Sequence, residues 1–242
     1  MTLLDVRSVS KAFGALRAVD DVSFDVEEGE IFGIAGPNGS GKSTLFNILT
    51  KIPFGPESGD VIFAGTTLNA LRADAIVRLG LVRTFQREIC FESLSVFENV
   101  MLPAVFCQSE RITTEAVSNA LMLLGFSEAE FAKPARLLTV FERKRLMMAS
   151  AVACRPRMIL LDEPASGLTK PEIDKSIDYV REISRRGTAI LLIEHVLPFL
   201  MSLSRRVMVL NNGRIIGIGD PHAVMREEAV VEAYLGSRKP NQ

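Results

Sequence analysis

Residues 36–44 read Gly36-Pro37-Asn38-Gly39-Ser40-Gly41-Lys42-Ser43-Thr44, and their reading decides the fold. The first eight fit the pattern G-x-x-x-x-G-K-[ST] in full. Each position has a physical reason. Glycines let the backbone curl until successive N–H groups converge on phosphate oxygens. Lys42 brings a positive charge to the β- and γ-phosphates, and Ser43 offers a hydroxyl to Mg²⁺. An apolar run, IFGIA at residues 31–35, leads into the loop; Leu45, Phe46, Ile48 and Leu49 follow it at helical spacing. Strand, loop and helix in that order aim a helix N-terminus at the same anion. A glycine-rich turn without a ligand has no need of that context. The stretch predicts a site for ATP with Mg²⁺ beyond the end of a strand buried on both faces.

A second strand carries the complementary chemistry. Residues 158–163 read MILLDE, four apolar positions followed by two acids. Beside a phosphate loop, Asp162 is placed to help hold Mg²⁺. Glu163, the next residue, is placed to polarise an attacking water as a general base. Taken alone, the pattern is an ordinary solvated strand end; Lys42 gives it meaning.

Working outward, residues 3–9 and 22–26 alternate as strands, with a turn at Glu28-Gly29, and residues 61–64 form another. Residues 70–154 read as mostly helical, with clear segments at 116–124 and 143–153. Residues 171–185 form an amphipathic helix, with Pro171 in its first turn and Gly187 past its end. Residues 188–193 are a further buried strand, and residues 207–218 a hairpin about an Asn-Gly turn. Strands alternating with helices predict an α/β fold with a mainly parallel sheet, an N-terminal antiparallel β region and an inserted helical subdomain. The expected organisation is one domain over residues 1–242, interrupted by helices at about 88–153.

Composition agrees. With 48% hydrophobic and 24% charged residues the chain can bury a core. A net charge of −1 lacks the basic excess of a general nucleic-acid binder, so no nucleic-acid partner is expected. The three cysteines, Cys90, Cys107 and Cys154, have neither CxxC spacing nor histidine companions; they are expected as buried free thiols, small core hydrophobes in a reducing cytosol. No export signal is visible, and no apolar run approaches the ~20 residues of a membrane-spanning helix.

Further residues fall into a known order. Residues 161–168 (LDEPASGL) resemble the Walker B and D-loop stretch of ABC ATPases. Gln86, in Arg83-Thr84-Phe85-Gln86, resembles their Q-loop glutamine, His195 their switch histidine, and Phe13, in Lys11-Ala12-Phe13-Gly14, the aromatic that stacks on adenine. Within that family the chain resembles the importer ATPases for branched-chain amino acids, through residues 31–47, 82–86 with 95–100, and 193–195 leading into 205–219. The resemblance implies that Gln86 touches Mg²⁺ and the attacking water, that His195 bonds the γ-phosphate, and that Phe13 stacks on adenine with Val19 nearby. It implies a peripheral protein on the cytoplasmic face of the cell membrane. Integral permease subunits, a second ABC ATPase subunit and a solute-binding protein would be its partners. Phe91, Leu94 and Phe97 are candidates for the surface that docks the permease.

The sequence departs from the family at its Leu-Ser-Gly-Gly-Gln signature, where it has Leu138-Thr139-Val140-Phe141-Glu142. In the family, two ATPase subunits pair head to tail and each signature completes the partner's ATP site. Side chains at Val140 and Phe141 crowd a backbone meant to approach phosphate, and Phe141 is the bulkier. Glu142 places an acid near an anion, unless Arg143, Lys144 or Arg145 screens it. A hetero-dimer with one competent and one impaired site is therefore expected. Thr169 replaces the usual Asp or Asn of the D-loop and retains a hydroxyl for a contact across the dimer. Two alternatives stay open: an ABC ATPase working away from membranes, and a nucleotide-binding regulatory subunit with little hydrolysis.

Overall fold

The computed structural model describes residues 1–87, 89–107 and 113–235. The chain begins with a hairpin of β1 (Thr2–Phe13) and β2 (Leu16–Glu27). Next come β3 (Ile31–Ala35), α1 (Lys42–Thr50), β4 (Ser58–Phe63) and β5 (Thr66–Thr67). Then follow α2 (Ala73–Arg78), β6 (Leu81–Arg83), α3 (Val96–Cys107), α4 (Thr114–Leu123) and α5 (Val140–Ala153). The rest is β7 (Met158–Asp162), α6 (Lys170–Arg185), β8 (Ala189–Ile193), α7 (Leu197–Leu203), β9 (Arg206–Asn211), β10 (Arg214–Gly219), α8 (Pro221–Val224) and α9 (Glu228–Leu235).

Two sheets result. The antiparallel one runs β2-β1-β4-β5. The other runs β10-β9-β3-β8-β7-β6, parallel throughout except for β10 at its edge. Every residue of β3, β7 and β8 is buried, as expected of parallel strands covered on both faces. The twofold alternation of side chains divides the core in two. Phe32, Ile34, Leu160, Leu191 and Met208 join Phe46 and Leu49 of α1 and the antiparallel sheet. Ile31, Ile159, Leu161, Ile190 and Val207 join Phe199 and Leu200 of α7 and the helices between β6 and β7. The phosphate-loop strand β3 thus lies at the middle of the sheet, with helix α1 behind it.

The structure differs from the sequence reading in β6, in the start of α5 and in the helices of the last third of the chain. The stretch expected as helical contains β6, a strand of three residues that pairs with β7 and is too short to show a period. The helices between these neighbouring strands are α3, α4 and α5. Residues 88 and 108–112 of the expected insertion lie outside the described residues. Helix α5 starts at Val140, earlier than periodicity suggested, because Thr139 caps it. Helices α7, α8 and α9 were not foreseen. The last of them matters for the loop: the Gly36 N–H donates to Tyr234 Oη at 2.8 Å. Among the described residues no helix is long and apolar enough to cross a membrane, and all three cysteines are free, though only Cys154 is buried and Cys90 and Cys107 are partly exposed, contrary to the expected core placement.

Candidate nucleotide site

The phosphate loop owes its path to glycine. Gly36 has φ 143°, and a Cβ there would run into the Leu210 carbonyl. Gly41 has φ 107° and caps α1; a Cβ there would strike the Ala18 carbonyl. Both glycines press on the surrounding backbone, so the loop's shape is imposed from behind. The Gly213 N–H donates to Ser40 O at 2.9 Å, and Asp20 N–H to Gly213 O at 2.9 Å, tying the loop to the turn between β9 and β10. The first N–H groups of α1 lack intrahelical acceptors and face the same mouth. Lys42 is buried, its Nζ donating to Gly36 O at 2.8 Å and Pro37 O at 2.9 Å. Burial pushes its ammonium below the ordinary lysine value, against the opposing pull of Glu163 and Asp162. A triphosphate would relieve that penalty.

A cavity of about 490 Å³ opens over the loop, within the range of small-molecule sites. Phe13, Asn38, Gly39, Ser40, Gly41, Lys42, Ser43, Thr44, Gln86, Glu163 and His195 all line it, so residues far apart in sequence meet at one place. Gly36 and Pro37 lie beneath, bonding Lys42. Phe13 is 46% exposed, its ring set edge-on to Phe54 at 5.2 Å. The Lys11 Nζ lies 5.6 Å from the ring centroid, and the exposed part of the ring lines the mouth. Val19, expected beside the adenine, is fully buried and does not line this cavity. Leu16, Arg17 and Asn212 also line the cavity, and nothing in their sequence context marked them.

The acidic end is a hydrogen-bonded chain. Gln86 Nε2 donates to Glu163 Oε2 at 2.8 Å, and His195 Nε2 lies 3.0 Å from Glu163 Oε1. Glu163 holds φ 51°, uncommon for a non-glycine residue, and its N–H donates to Ile193 O at 2.9 Å. Lys144 Nζ donates to Glu163 O at 3.0 Å. Asp162 has a different partner. Its Oδ2 accepts from Arg83 Nη2 at 2.8 Å in a pair that is almost wholly buried. Arg83 Nη1 donates to Asn47 Oδ1 at 2.7 Å, and the guanidinium lies 5.3 Å from the Phe46 ring and 5.2 Å from Phe85.

Ser43, Asp162 and Gln86 offer a hydroxyl, a carboxylate and an amide, the oxygen donors Mg²⁺ prefers. Here the Gln86 amide nitrogen is turned to Glu163 and Asp162 Oδ2 to Arg83, with Gln86 Oε1 and Asp162 Oδ1 outside those two bonds. Their chemistry fits the ion, beside a buried lysine and a loop shaped for phosphate.

The signature segment stands at the start of α5. Leu138 is buried, and Thr139 and Glu142 cap the helix reciprocally: Thr139 N–H donates to Glu142 Oε2 at 2.7 Å, and Glu142 N–H to Thr139 Oγ1 at 3.2 Å. The cation that screens Glu142 is Lys133, at 3.1 Å, and not the expected basic run. Arg143 turns to Leu138 O, Lys144 to Glu163 O, and Arg145 to the carbonyls of Leu124 and Gly125. Burial raises the Glu142 pKa, but the Thr139 N–H and Lys133 outweigh it and hold the carboxyl below the usual range. Phe141 is engaged on the helix flank, with the Arg145 guanidinium 5.1 Å from its ring. Val140 is the side chain left bare, at 49% exposure. The Thr169 hydroxyl, expected to reach across a dimer, donates to Glu172 Oε2 of its own chain at 2.7 Å.

The ABC transporter family profile matches residues 19–166. LivG of Salmonella typhimurium, a high-affinity branched-chain amino acid transport ATP-binding protein, is 33% identical over 254 residues, covering 97% of this chain and 98% of LivG. BraF of Pseudomonas aeruginosa, of the same description, is 33% identical with the same coverage. Among solved structures, an ATP-binding cassette of an ABC transporter in its ADP conformation superposes with a TM-score of 0.89. It shares 28% identity, and the match covers 98% of this chain and all of that one. The glycine-shaped loop, the fold around it and these relatives agree: the chain belongs to the ABC transporter ATP-binding family and is an ATPase of the ATP-binding-cassette fold.

Proposed function

We propose that this chain is the peripheral ATPase subunit of a membrane importer for branched-chain amino acids or similar small polar solutes. The observation that carries the hydrolytic reading is the Gln86–Glu163–His195 chain at the rim of the phosphate-loop cavity. Phe13 stacks on the base, and the backbone of residues 38–44 with Lys42 holds the phosphates. Glu163 takes the proton of the attacking water, held in place by Gln86 and His195. His195 then turns its Nε2–H to the γ-phosphate. Ser43, Asp162 and Gln86 would hold Mg²⁺, which would supply positive charge against the phosphates.

Partners follow from the surface and the relatives. An apolar cavity of about 480 Å³ lies beside Gln86, lined in part by Phe85, Ile89, Phe91, Leu102 and Phe106. Ile89, Phe91 and Phe106 are exposed, which suits a helix of a permease lying in the groove. Of the residues first considered for docking, Phe91 fits. Phe97 packs on Phe131 at 6.0 Å, and Leu94 is half-buried. A solute-binding protein completes the importer, on the resemblance to LivG and BraF. Pairing with a different ATPase subunit bearing an intact signature leaves that subunit's site bordered by Val140 and this chain's own site competent. Were the chain to pair with itself, the bare Val140 would border both sites, which favours a second reading, a regulatory subunit that binds ATP and hydrolyses little.

The test is purification through a tag on this chain, followed by identification of the bound subunits and measurement of ATP turnover. Permease and second ATPase subunits are expected to co-purify. Lys42→Ala is expected to abolish turnover, and Glu163→Gln to lower it ~10²–10⁴-fold while ATP stays bound. Full turnover after Glu163→Gln removes the assignment of the base. A complex whose wild-type turnover is negligible supports the regulatory reading.

A further inference from the structure

Glu194 follows β8 directly, is 1% exposed, and has no part in the chemistry above. Its carboxylate accepts three backbone N–H groups from two separate segments. Oε1 takes Ala165 N–H at 2.6 Å. Oε2 takes His195 N–H at 2.9 Å and Val196 N–H at 3.0 Å. Its own N–H points to Ile34 O, at 3.5 Å, in the strand that enters the phosphate loop. Packing alone gives no reason for an acid here. Burial raises its pKa, and the three amides oppose that by favouring the charged form.

The two segments are those that carry Glu163 and His195. Ala165 lies two residues beyond Glu163, and His195 is the next residue after Glu194. We infer that Glu194 is a positioning residue for hydrolysis, a buried clamp whose two oxygens hold the backbones behind Glu163 and His195 at one separation. The 3.0 Å contact between those side chains is thereby set from beneath. The inference rests on the assignment of Glu163 and His195 made above.

Glu194→Gln is the sharpest probe, because it keeps size and removes one acceptor end. Its amide NH₂ must face either Ala165 N–H or the His195 and Val196 pair, so one side of the clamp opens. In the tagged complex this variant is expected to lower kcat on the order of 10- to 100-fold, with the ATP dissociation constant and KM within about twofold. In a His195→Ala background the same change is expected to add less than about twofold, because the Glu163–His195 contact that the clamp sets is gone. Hydrogen exchange at amides 165, 195 and 196 is expected to be slow in the wild-type complex and faster at one side of the clamp in the variant. Unchanged kcat in a folded Glu194→Gln complex overturns the proposal, and so does full multiplication of the two mutations' effects. Rapid exchange of these amides in the wild type also overturns it, whether or not the variant folds. If His195→Ala turns over like the wild type, the site reading fails and the clamp falls with it. If His195→Ala is impaired and Glu194→Gln is not, the clamp alone fails.

Discussion

Replacing Arg83 with methionine would strand a buried charge, and the structure lets the damage be sized. Arg83 and Asp162 side chains are 7% and 5% exposed, with 2.8 Å between Nη2 and Oδ2. Removing one member of so buried a pair costs about 3–5 kcal/mol, because the remaining carboxylate has lost its counter-charge in a dry setting. Loss of the donor to Asn47 Oδ1 adds about 1 kcal/mol. Methionine returns about 1 kcal/mol through contact with Phe46 and Phe85, which leaves about 3–5 kcal/mol in all. For a chain of this size each kcal/mol moves the midpoint by ~2–4 °C, so Arg83→Met is expected to melt roughly 6–20 °C lower. The assay is thermal unfolding of the nucleotide-free protein, followed by circular dichroism. Asp162→Asn added to Arg83→Met removes the stranded charge and should recover at least half the loss. Mg·ATP should raise the midpoint of Arg83→Met more than that of wild type, since a cation then stands beside Asp162. A loss under about 1 kcal/mol, or a double variant no better than the single one, would refute the reasoning.

Two further outcomes are expected. Phe13→Ala should weaken ATP binding by about 1–3 kcal/mol, the range for base–aromatic stacking, or roughly 5- to 150-fold, measured with a fluorescent ATP analogue. Its melting point should hardly move, because the ring is half exposed. For Glu142 the sign follows from a folded-state pKa below its unfolded value, about 4.3. Its contribution is complete above that value and disappears as pH falls through the lower folded pKa, so Glu142→Gln should flatten acid unfolding in that window, read by urea titration at stepped pH.

The parts legible in the sequence were those announced by contiguous chemistry. Residues 31–49 spelled strand, loop and helix because glycines, an apolar run and a helical spacing follow one another without a gap. Residues 158–163 worked the same way. The strand β6 was invisible because three residues cannot display alternation, and its identity as a strand depends on pairing with β7. The Arg83–Asp162 pair joins positions 79 residues apart, and an arginine followed by Thr84 and Phe85 gives no hint of it. Lys133 screening Glu142 was missed for the opposite reason: a nearer basic run looked sufficient, until each of its side chains proved to be claimed by backbone carbonyls. The resemblance named Gln86 and His195, whereas their shared contact with Glu163 required the fold.

The bond from Gly36 to Tyr234 spans 198 residues, and the neighbours of β3 in its sheet, β8 and β9, also come from the far end of the chain. On the ribosome, the strand that leads into the loop therefore emerges long before anything it can pair with. Non-local pairing of this kind is slow and leaves apolar segments open meanwhile. A nascent or clipped polypeptide ending before residue 234 would carry every letter of the glycine loop and still lack its last tether. Stalled translation products of this protein should accordingly be poor competitors for cellular ATP.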